Sequence, residues 1–391
     1  MVFLVYKQIK KAFKETDKLF LLLCLLLSAV GTVMVSSATH RTSGGALLSR
    51  DAKVMVLALA LGLVACMIIS FIDYDIILKL WPIIAAGSLF LMLLLIPFGS
   101  TPTGREDARS WLQITDKLYL QPSEILKIGF IITFSKHLSV LKNDLSSVKN
   151  VFFLCVHAMI PIALVVYTGD MGSALIFMMM FVGMMFIGGV HWVYFPLGIV
   201  AVGAALPVVW YKIFDNIQRD RILALIDPQS YPNEIYQQQQ ASNAIREGGF
   251  FGTGLFNGPY TQSGSVPESQ NDMIFSVICE ETGLVGAFAV LLLFALLAIR
   301  VVYVAKRSNN YAASMLCYGV MFMIIAQVVI NIGMCLKLLP VIGITLPFIS
   351  AGGSSVVSLY LSVGLVLSVY RSSGGIGYDD DYRFARIARQ M

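Results

Sequence analysis

The segment 267–283 (PESQNDMIFSVICEETG) concentrates carboxylates where a polar loop passes into an apolar stretch of helical length. Asp272 stands at the start of that stretch, where a carboxylate can act as a general base, or can cap the helix and interact with its dipole. Glu280 follows about 80° round the helix and ~12 Å deeper, and Glu281 points nearly opposite Asp272. Because ionisable groups in a membrane are costly, at least one of these glutamates should face a partner or an aqueous cavity.

Glu124 and Lys127 form a second ionisable set, inside another apolar stretch. Their spacing places them on one face of a helix. Two compatible interpretations are open: an ion pair that neutralises both groups, or side chains that face a polar cavity and bind a ligand.

Arginines in two long polar loops form a third set. They are Arg105 and Arg109 in GREDARSW, and Arg219, Arg221 and Arg246 in the longer loop. Guanidinium groups match phosphate oxygens in bidentate geometry, so the set could bind a phosphate. The alternative is pairing with neighbouring acids such as Asp107, Asp220 and Glu247.

The other motifs exclude several chemistries. The 6 cysteines and 4 histidines lack the CxxC and HExxH spacings of zinc sites. The glycine-rich stretches 248–258 and 346–355 lack the strand and helix that flank a nucleotide fingerprint, and no P-loop is present. Neither ATP-driven transport nor a nucleic-acid partner is predicted; the net charge of +5 says little about partners in such a chain.

Membrane helices must position these residues, because 57% of the 391 residues are hydrophobic and 13% are charged, with a mean hydropathy of +0.78. A span needs about 20 apolar residues. The sequence predicts an all-α bundle of about ten spans, forming a single domain over 1–371 with a tail at 372–391. The predicted spans are 18–38, 53–72, 76–98, 122–141, 150–168, 172–190, 192–213, 273–299, 311–335 and 352–370.

Two long segments interrupt the spans, at 99–121 and 214–272. The second lies between the seventh and eighth spans, and its mixed composition predicts an ordered, functional element. Lys and Arg are in excess in the loops on the N-terminal side of the membrane. The positive-inside rule therefore predicts cytoplasmic termini in a multi-pass inner-membrane protein, with Asp272 on the outer face.

Several strings together resemble the SEDS family (shape, elongation, division and sporulation), which includes RodA, FtsW and SpoVE. The matching strings are GREDARSW, QPSEILK, TGDMGSALIF, DRILALIDP, GGFFGTGL, PESQNDMIFSVICEETG and INIGMCLKLLPVIGITLPFISAGGSS. They run in the family's order, and the ten predicted spans fit its plan.

The resemblance implies a peptidoglycan glycosyltransferase that polymerises lipid II on the outer face of a bacterial cytoplasmic membrane, with a class B penicillin-binding protein as partner. It places the family's loop aspartate on Asp272 and loop glutamate on Glu268, and its fourth-helix pair on Glu124 and Lys127. The sequence assigns no cofactor and leaves open a divalent cation, Mg²⁺ or Mn²⁺. A role in elongation is favoured over division.

In the resulting hypothesis Asp272 is the one general base, because a pyrophosphate leaving group needs positive charge and no proton. Lys127 and some of the arginines would offset that charge, while Glu124, Glu268 and Glu280 would bind or orient the substrate. Two rival functions are a lipid II flippase, whose path would be lined by the same charges, and a scaffold without activity.

Overall fold

The computed structural model describes residues 16–41, 44–45, 48–101, 109–115 and 118–373, and most of them are helical. The first helices are α1 (Lys18–Ala38), α2 (Arg50–Phe71), α3 (Tyr74–Lys79), α4 (Trp81–Leu93), α5 (Leu95–Phe98), α6 (Pro122–Leu141), α7 (Val148–Tyr167) and α8 (Met171–Gly188). The remaining helices are α9 (Tyr194–Val208), which continues as a π-helix (Val209–Ile213), α10 (Asn216–Ile226), α11 (Pro232–Gly248), α12 (Pro259–Ser263), α13 (Ile274–Arg307), α14 (Tyr311–Cys335) and α15 (Gly353–Ser372).

Within the described ranges, 9 helical stretches are long and apolar enough to cross a membrane. They coincide with nine of the ten predicted spans, with α4 and α5 joined in one stretch and α9 joined to its π-helix. The predicted polytopic helical bundle is therefore confirmed.

The one predicted span outside these nine stretches is 122–141. It is the helix α6, which carries three charged residues: Glu124, Lys127 and Lys136. These charges make α6 less apolar than the other spans. It packs against α4, α7, α14 and α15, so its polar groups can face protein instead of lipid. Its first two turns are almost wholly buried.

The segment 99–121, predicted as a loop, contains a small antiparallel sheet of strands β1 (Gly99–Ser100), β2 (Trp111–Thr115) and β3 (Leu118–Leu120), in that order. Gly99 pairs with Leu112, and Leu112 with Leu120. The sequence did not predict this short sheet, which is a small addition to the confirmed helical bundle. The sheet leads directly into α6.

The long segment 214–272 is ordered, as predicted, and contains α10, α11 and α12. A capping box between Asp215 and Gln218 begins α10. The buried Gln238 fixes α11 to the bundle, because its Nε2 donates to the carbonyls of Met334 at 2.8 Å and Leu339 at 2.6 Å. We call the end of the bundle that carries these helices the loop end.

The helix α13 is broken at Gly283, which has a φ of 67° and a ψ of −165°. Around this break the backbone of 249–254 replaces the missing helical hydrogen bonds. Thr253 N donates to Glu280 O at 2.9 Å, Gly254 N donates to Glu281 O at 3.0 Å, and Leu284 N donates to Gly249 O at 3.0 Å. The GGFFGTG stretch is therefore a brace for a discontinuous helix, which needs such partners in or near lipid.

Two contacts between α1 and α13 fix how far the two helices are shifted relative to each other along the bundle axis. Arg300 Nε donates to Asp17 Oδ2 at 2.7 Å, and Ser37 Oγ donates to Glu281 Oε1 at 2.5 Å. Since Asp17 and Ser37 lie at opposite ends of α1, residues 274–280 project beyond its last turn. Glu280 and Glu281 thus lie at the edge of the spanning region, a shallower position than the sequence predicts.

Candidate active site

Asp272 lies in the turn between the 214–272 segment and α13, and it is 5% exposed. The N-cap residue of α13 is Met273, and this helix start has no side-chain cap. Asp272 therefore stands one residue before the N-cap position of α13.

A buried amide on α14 fixes the backbone at Asp272. Asn331, which is fully buried, donates from Nδ2 to Asp272 O and to Ile344 O, both at 2.8 Å. The Cys335 thiol lies 3.7 Å from the same Asp272 oxygen. One side chain thus joins two non-helical segments, 267–273 and 336–352, at the loop end.

Ser350 and its neighbour complete this junction. Ser350 Oγ donates to Asn271 O at 2.7 Å and accepts from Leu346 N at 2.7 Å. Ala351 N donates to Gln270 O at 2.9 Å. Irregular backbone is tolerated at membrane level only against protein or water, and here each segment supplies partners for the other. The turn is consequently rigid, as a positioned catalytic group requires.

Glu268 is exposed at the rim of the same turn. Its φ of 52° is unusual for a residue other than glycine. Its Oε2 accepts from Asn271 Nδ2 at 2.6 Å, and its carbonyl accepts from the backbone of Asn271 and Met273. Strained backbone persists where the surroundings enforce it, often at functional sites. An exposed carboxylate beside Asp272 fits the predicted orienting role.

The predicted pair of Glu124 and Lys127 is an ion pair, with 2.8 Å between Nζ and Oε1. Lys127 is 1% exposed and Glu124 is 8% exposed. Glu124 also lines a small cleft together with Leu346 and Ser350, which belong to the segment that clamps Asn271. The predicted ion pair therefore forms, and the interpretation that these side chains bind a ligand stays a prediction.

Asp170, in the TGDMG stretch, sets the position of this ion pair. It caps α8 by accepting from Ser173 N at 2.9 Å. Its other oxygen accepts from Gln121 Nε2 at 3.0 Å and from Ser123 Oγ at 3.2 Å, at the start of α6. The cap therefore ties the first turn of α6, and with it Glu124, to α8.

The described arginines of the predicted phosphate-binding set differ in their burial and contacts. Arg105 lies outside the described residues. Arg109 is exposed just before β2, and Arg221 is half-buried on α10. Arg219 donates to the carbonyls of Trp210 at 2.8 Å and Phe214 at 2.7 Å, so its guanidinium stabilises the end of the π-helix. This arrangement favours a structural role for Arg219 over the predicted substrate contact.

Lys337 and Arg246 supply positive charge at the loop end, next to the clamped turn. Lys337 closely follows Cys335 and contacts the Gln239 side chain on α11. Partial burial, and to a smaller extent the charge of Arg246, lowers the pKa of Lys337. These two residues place positive charge at the loop end, where it would attract an anion.

The fully buried Glu280 is not available to a ligand. Its carboxylate accepts from Tyr260 N at 2.6 Å, from Thr261 N at 2.9 Å and from Thr261 Oγ1 at 2.5 Å. Gly258 packs against it so closely that an added Cβ would meet Oε2 at 2.6 Å. The predicted substrate-binding role is therefore replaced by a structural one, at the start of α12.

Sequence reasoning missed the residues that hold the turn: Asn331, Ser350 and Gln238. A polar side chain within an apolar stretch is a signal for Asn331, but its two acceptors are distant in sequence. Lys337 was also missed, because an isolated lysine carries no pattern. Among the described residues, no group of three or more His, Cys, Asp or Glu side chains could hold a metal ion.

Comparison with known proteins places this arrangement among relatives. The sequence profile of the family FtsW/RodA/SpoVE, described as cell cycle protein, matches residues 17–374. The peptidoglycan glycosyltransferase MrdB of Escherichia coli (strain K12) is 29% identical over 357 residues, covering 90% of this chain and 93% of that protein. Stage V sporulation protein E of Bacillus subtilis (strain 168) is 30% identical over 369 residues, covering 91% and 97%.

Solved structures show the same fold. A chain from a peptidoglycan synthase complex, described as coordinating polymerization and crosslinking, superimposes with a TM-score of 0.78 at 26% identity, covering 92% of this chain and 98% of that one. The rod shape determining protein RodA of Thermus thermophilus superimposes with a TM-score of 0.69 at 24% identity, with the same coverage. The second similarity concerns the fold alone.

Proposed function

This chain belongs to the FtsW/RodA/SpoVE family, and on that premise we propose that it is a peptidoglycan glycosyltransferase that polymerises lipid II into β-1,4-linked glycan strands. The name of the Escherichia coli relative supports the reaction class. The observation that carries the assignment to a site is the position of Asp272. It is a nearly buried carboxylate on a turn clamped from two sides by Asn331 and Ser350.

In the proposed reaction, Asp272 accepts the proton of the GlcNAc 4-hydroxyl as that oxygen attacks the anomeric carbon of the second substrate. The bond from that carbon to the pyrophosphate breaks, the electron pair leaves with the pyrophosphate, and the configuration inverts from α to β. Such proton transfer by a positioned base contributes about 10²–10⁴-fold to a rate. Burial supports this role, because removing water strengthens the interactions of a preorganised carboxylate.

The departing polyprenyl pyrophosphate requires positive charge. We assign this role first to Lys337 and Arg246, because Lys337 follows Cys335, whose thiol lies 3.7 Å from Asp272 O, and Arg246 lies on α11 at the same end of the bundle. Arg105, Arg109 and Arg221 stay candidates from the sequence. Lys127 would contribute only if its pair with Glu124 opened, since the ammonium is buried against that carboxylate. A divalent cation is an optional addition, and Glu268 is placed as an orienting group.

The nine apolar stretches support a multi-pass membrane protein, and we propose that it lies in the bacterial cytoplasmic membrane with both termini inside. The loop end, with Asp272, would then face outward, where the disaccharide of lipid II is exposed. By analogy with the related synthase complex, the proposed partner is a class B penicillin-binding protein that crosslinks the strands. Cell elongation is the proposed process, in preference to division.

A lipid II flippase is less well supported by the structure than a glycosyltransferase. That function needs ionisable groups free to line a path through the bundle. Glu280 is instead bound to the start of α12, and Lys127 is neutralised by Glu124. Both sets also lie toward the loop end, so they do not extend through the depth of the bundle.

Two measurements distinguish the two functions: the formation of glycan strands and the movement of lipid II across a membrane. Purified protein is mixed with its partner transpeptidase, whose crosslinking activity is blocked by a β-lactam, and with lipid II in detergent. We expect glycan strands on a gel, and none from the partner alone. Protein that made no strands here, but moved lipid II across liposomes, would contradict the enzyme assignment and support the flippase.

A further inference from the structure

An apolar groove of about 390 Å³ lies between α4, α6 and α7, and it is separate from the Asp272 turn. Its volume is within the range of about 300–1,000 Å³ that is typical of ligand sites. Side chains on its rim are exposed on the outside of the bundle, namely Trp81, Phe153, Val156 and Ile160. Since these faces meet lipid, a ligand would reach the groove from within the membrane.

The groove follows α6 from Leu126 to Leu141, a distance of about 22 Å at the helical rise of ~1.5 Å per residue. Most of its lining is apolar. Ser88 lies next to Gly129 and Thr133 lies one turn further along α6, and the remaining polar residues lie toward the end opposite the loop end. There His137 and Asn150 stand at the wall. A long apolar trough with one polar end matches the shape of a lipid, which has an acyl chain and a headgroup.

A chain of hydrogen bonds at the polar end sets which side chain donates and which accepts. Thr133 Oγ1 donates to Gly129 O at 2.9 Å, so it accepts from His157 Nε2 at 3.1 Å. The other nitrogen of His157, Nδ1, then accepts from His137 Nδ1 at 3.0 Å. With His157 neutral, His137 is the donor at Nδ1, and this geometry suits both a neutral and a positively charged His137.

Charges around the polar end favour an anion. Lys142 and Lys149 are exposed next to Leu141 and Asn150, and Lys136 adjoins His137. The opposing charge at this mouth is Asp144, whose Oδ2 accepts from Asn150 Nδ2 at 3.2 Å. Lysines thus outnumber the acid, and basic pockets between helices on the cytoplasmic side are suited to anionic lipid headgroups.

We propose that the groove binds an anionic phospholipid of the cytoplasmic leaflet, with one acyl chain along α6 and the phosphate at His137, Lys142 and Lys149. The polyprenyl chain of the substrate is a poorer match, because its pyrophosphate belongs at the loop end. The lysine-rich mouth lies at the opposite end of the bundle. The proposal concerns a second lipid site and does not depend on the reaction assigned to Asp272.

The test measures thermal unfolding of the purified, delipidated full chain in detergent with added phosphatidylglycerol or phosphatidylcholine of identical acyl chains. A ligand at about 100 times its Kd stabilises a protein by roughly 2.7 kcal/mol, so a rise in Tm is measurable. We expect phosphatidylglycerol to raise Tm clearly more than phosphatidylcholine. Native mass spectrometry should show one phosphatidylglycerol retained.

Two variants and a matched control locate the effect. Ala85→Phe fills the groove and should abolish the response to phosphatidylglycerol, whereas Ala86→Phe, on the neighbouring exposed face of α4, should keep it. The surface double variant Lys142→Gln/Lys149→Gln should respond equally to the two lipids. Equal responses in the unaltered protein, an undiminished response in Ala85→Phe, or retention of undecaprenyl phosphate in place of phosphatidylglycerol would overturn the proposal.

Discussion

Asp272 and Glu280 show how differently two acids of one short segment are used. From the sequence, both are candidate site residues, because both are carboxylates near the start of an apolar helix. In the structure the Glu280 carboxylate accepts hydrogen bonds from the backbone amides of residues 260 and 261. Asp272 instead lies on a turn whose backbone carbonyl accepts from Asn331. Their motif identified the region, but the separation of roles depends on partners that are far away in sequence, such as Asn331.

Replacement of Asn331 by alanine should reduce both stability and activity. The carbonyls of Asp272 and Ile344 would each lose a buried donor, at about 1–3 kcal/mol for an unsatisfied group, and the turn would no longer be fixed. Thermal unfolding and the polymerisation rate per folded molecule measure the two effects. Asn310→Ala, which removes a cap at the other end of α14, should lower stability by about 1 kcal/mol and leave the rate unchanged. Equal effects of both variants on the rate would speak against a clamp at Asn331.

Glu280→Gln should separate structure from catalysis. The amide keeps the size of the side chain but places a donor against donors, at a loss of about 1.5–3 kcal/mol for hydrogen bonds to a charged group. We expect a lower Tm with the polymerisation rate per folded molecule preserved. A rate that fell by orders of magnitude at unchanged Tm would restore the substrate-binding role predicted from the sequence.

At the scale of elements, apolar length located the helices well, because a helix or a run of consecutive helices occupies each of the ten predicted ranges. The break in α13 was not predicted. Gly283 occurs in a stretch that is apolar on both sides, and nothing local indicates that 249–254 will bond to it. The strands of 99–121 were missed for a similar reason, since β1 is only 2 residues long.

Gly283→Ala should destabilise the protein by more than the 1–3 kcal/mol typical of a strained backbone conformation. The φ and ψ at this position belong to a region that is essentially restricted to glycine, and an added Cβ would lie 2.4 Å from Gly252 N. Gly87→Ala is the control, because no atom lies within 4 Å of its Cβ position on α4. That change should be neutral or stabilising by about 0.5–1 kcal/mol in thermal unfolding. If Gly283→Ala were also neutral, the brace by 249–254 would not be a structural requirement.

At the scale of the whole molecule, the packing of α1 against α13 defines the two ends of the bundle. Asp17 with Arg300 marks one end, and Ser37 with Glu281 marks the other. Composition predicted the membrane class and charge bias predicted an orientation, but the levels of individual groups required these tertiary contacts. The depth of Glu280 was misjudged for that reason.

Orientation can be measured with single introduced cysteines and a membrane-impermeant maleimide in intact cells. We expect labelling at Glu268→Cys, on the exposed rim of the Asp272 turn, and labelling at Lys142→Cys only after the membrane is permeabilised. The 6 native cysteines, of which five are buried and Cys155 is half-buried, should give a low background. The reverse pattern would place the loop end in the cytoplasm and contradict the proposed topology.

The most direct test of the account is the polymerisation rate of Asp272→Asn with lipid II, measured beside Asp227→Asn. Asp227 lies on the same 214–272 segment, is exposed, and accepts a hydrogen bond from the neighbouring Ser230 N at a long 3.4 Å. We predict that Asp272→Asn loses about 10²–10⁴-fold in rate, with thermal unfolding unchanged, and that Asp227→Asn keeps the unaltered rate. A folded Asp272→Asn protein that still makes glycan strands at close to the original rate would show that Asp272 is not the base.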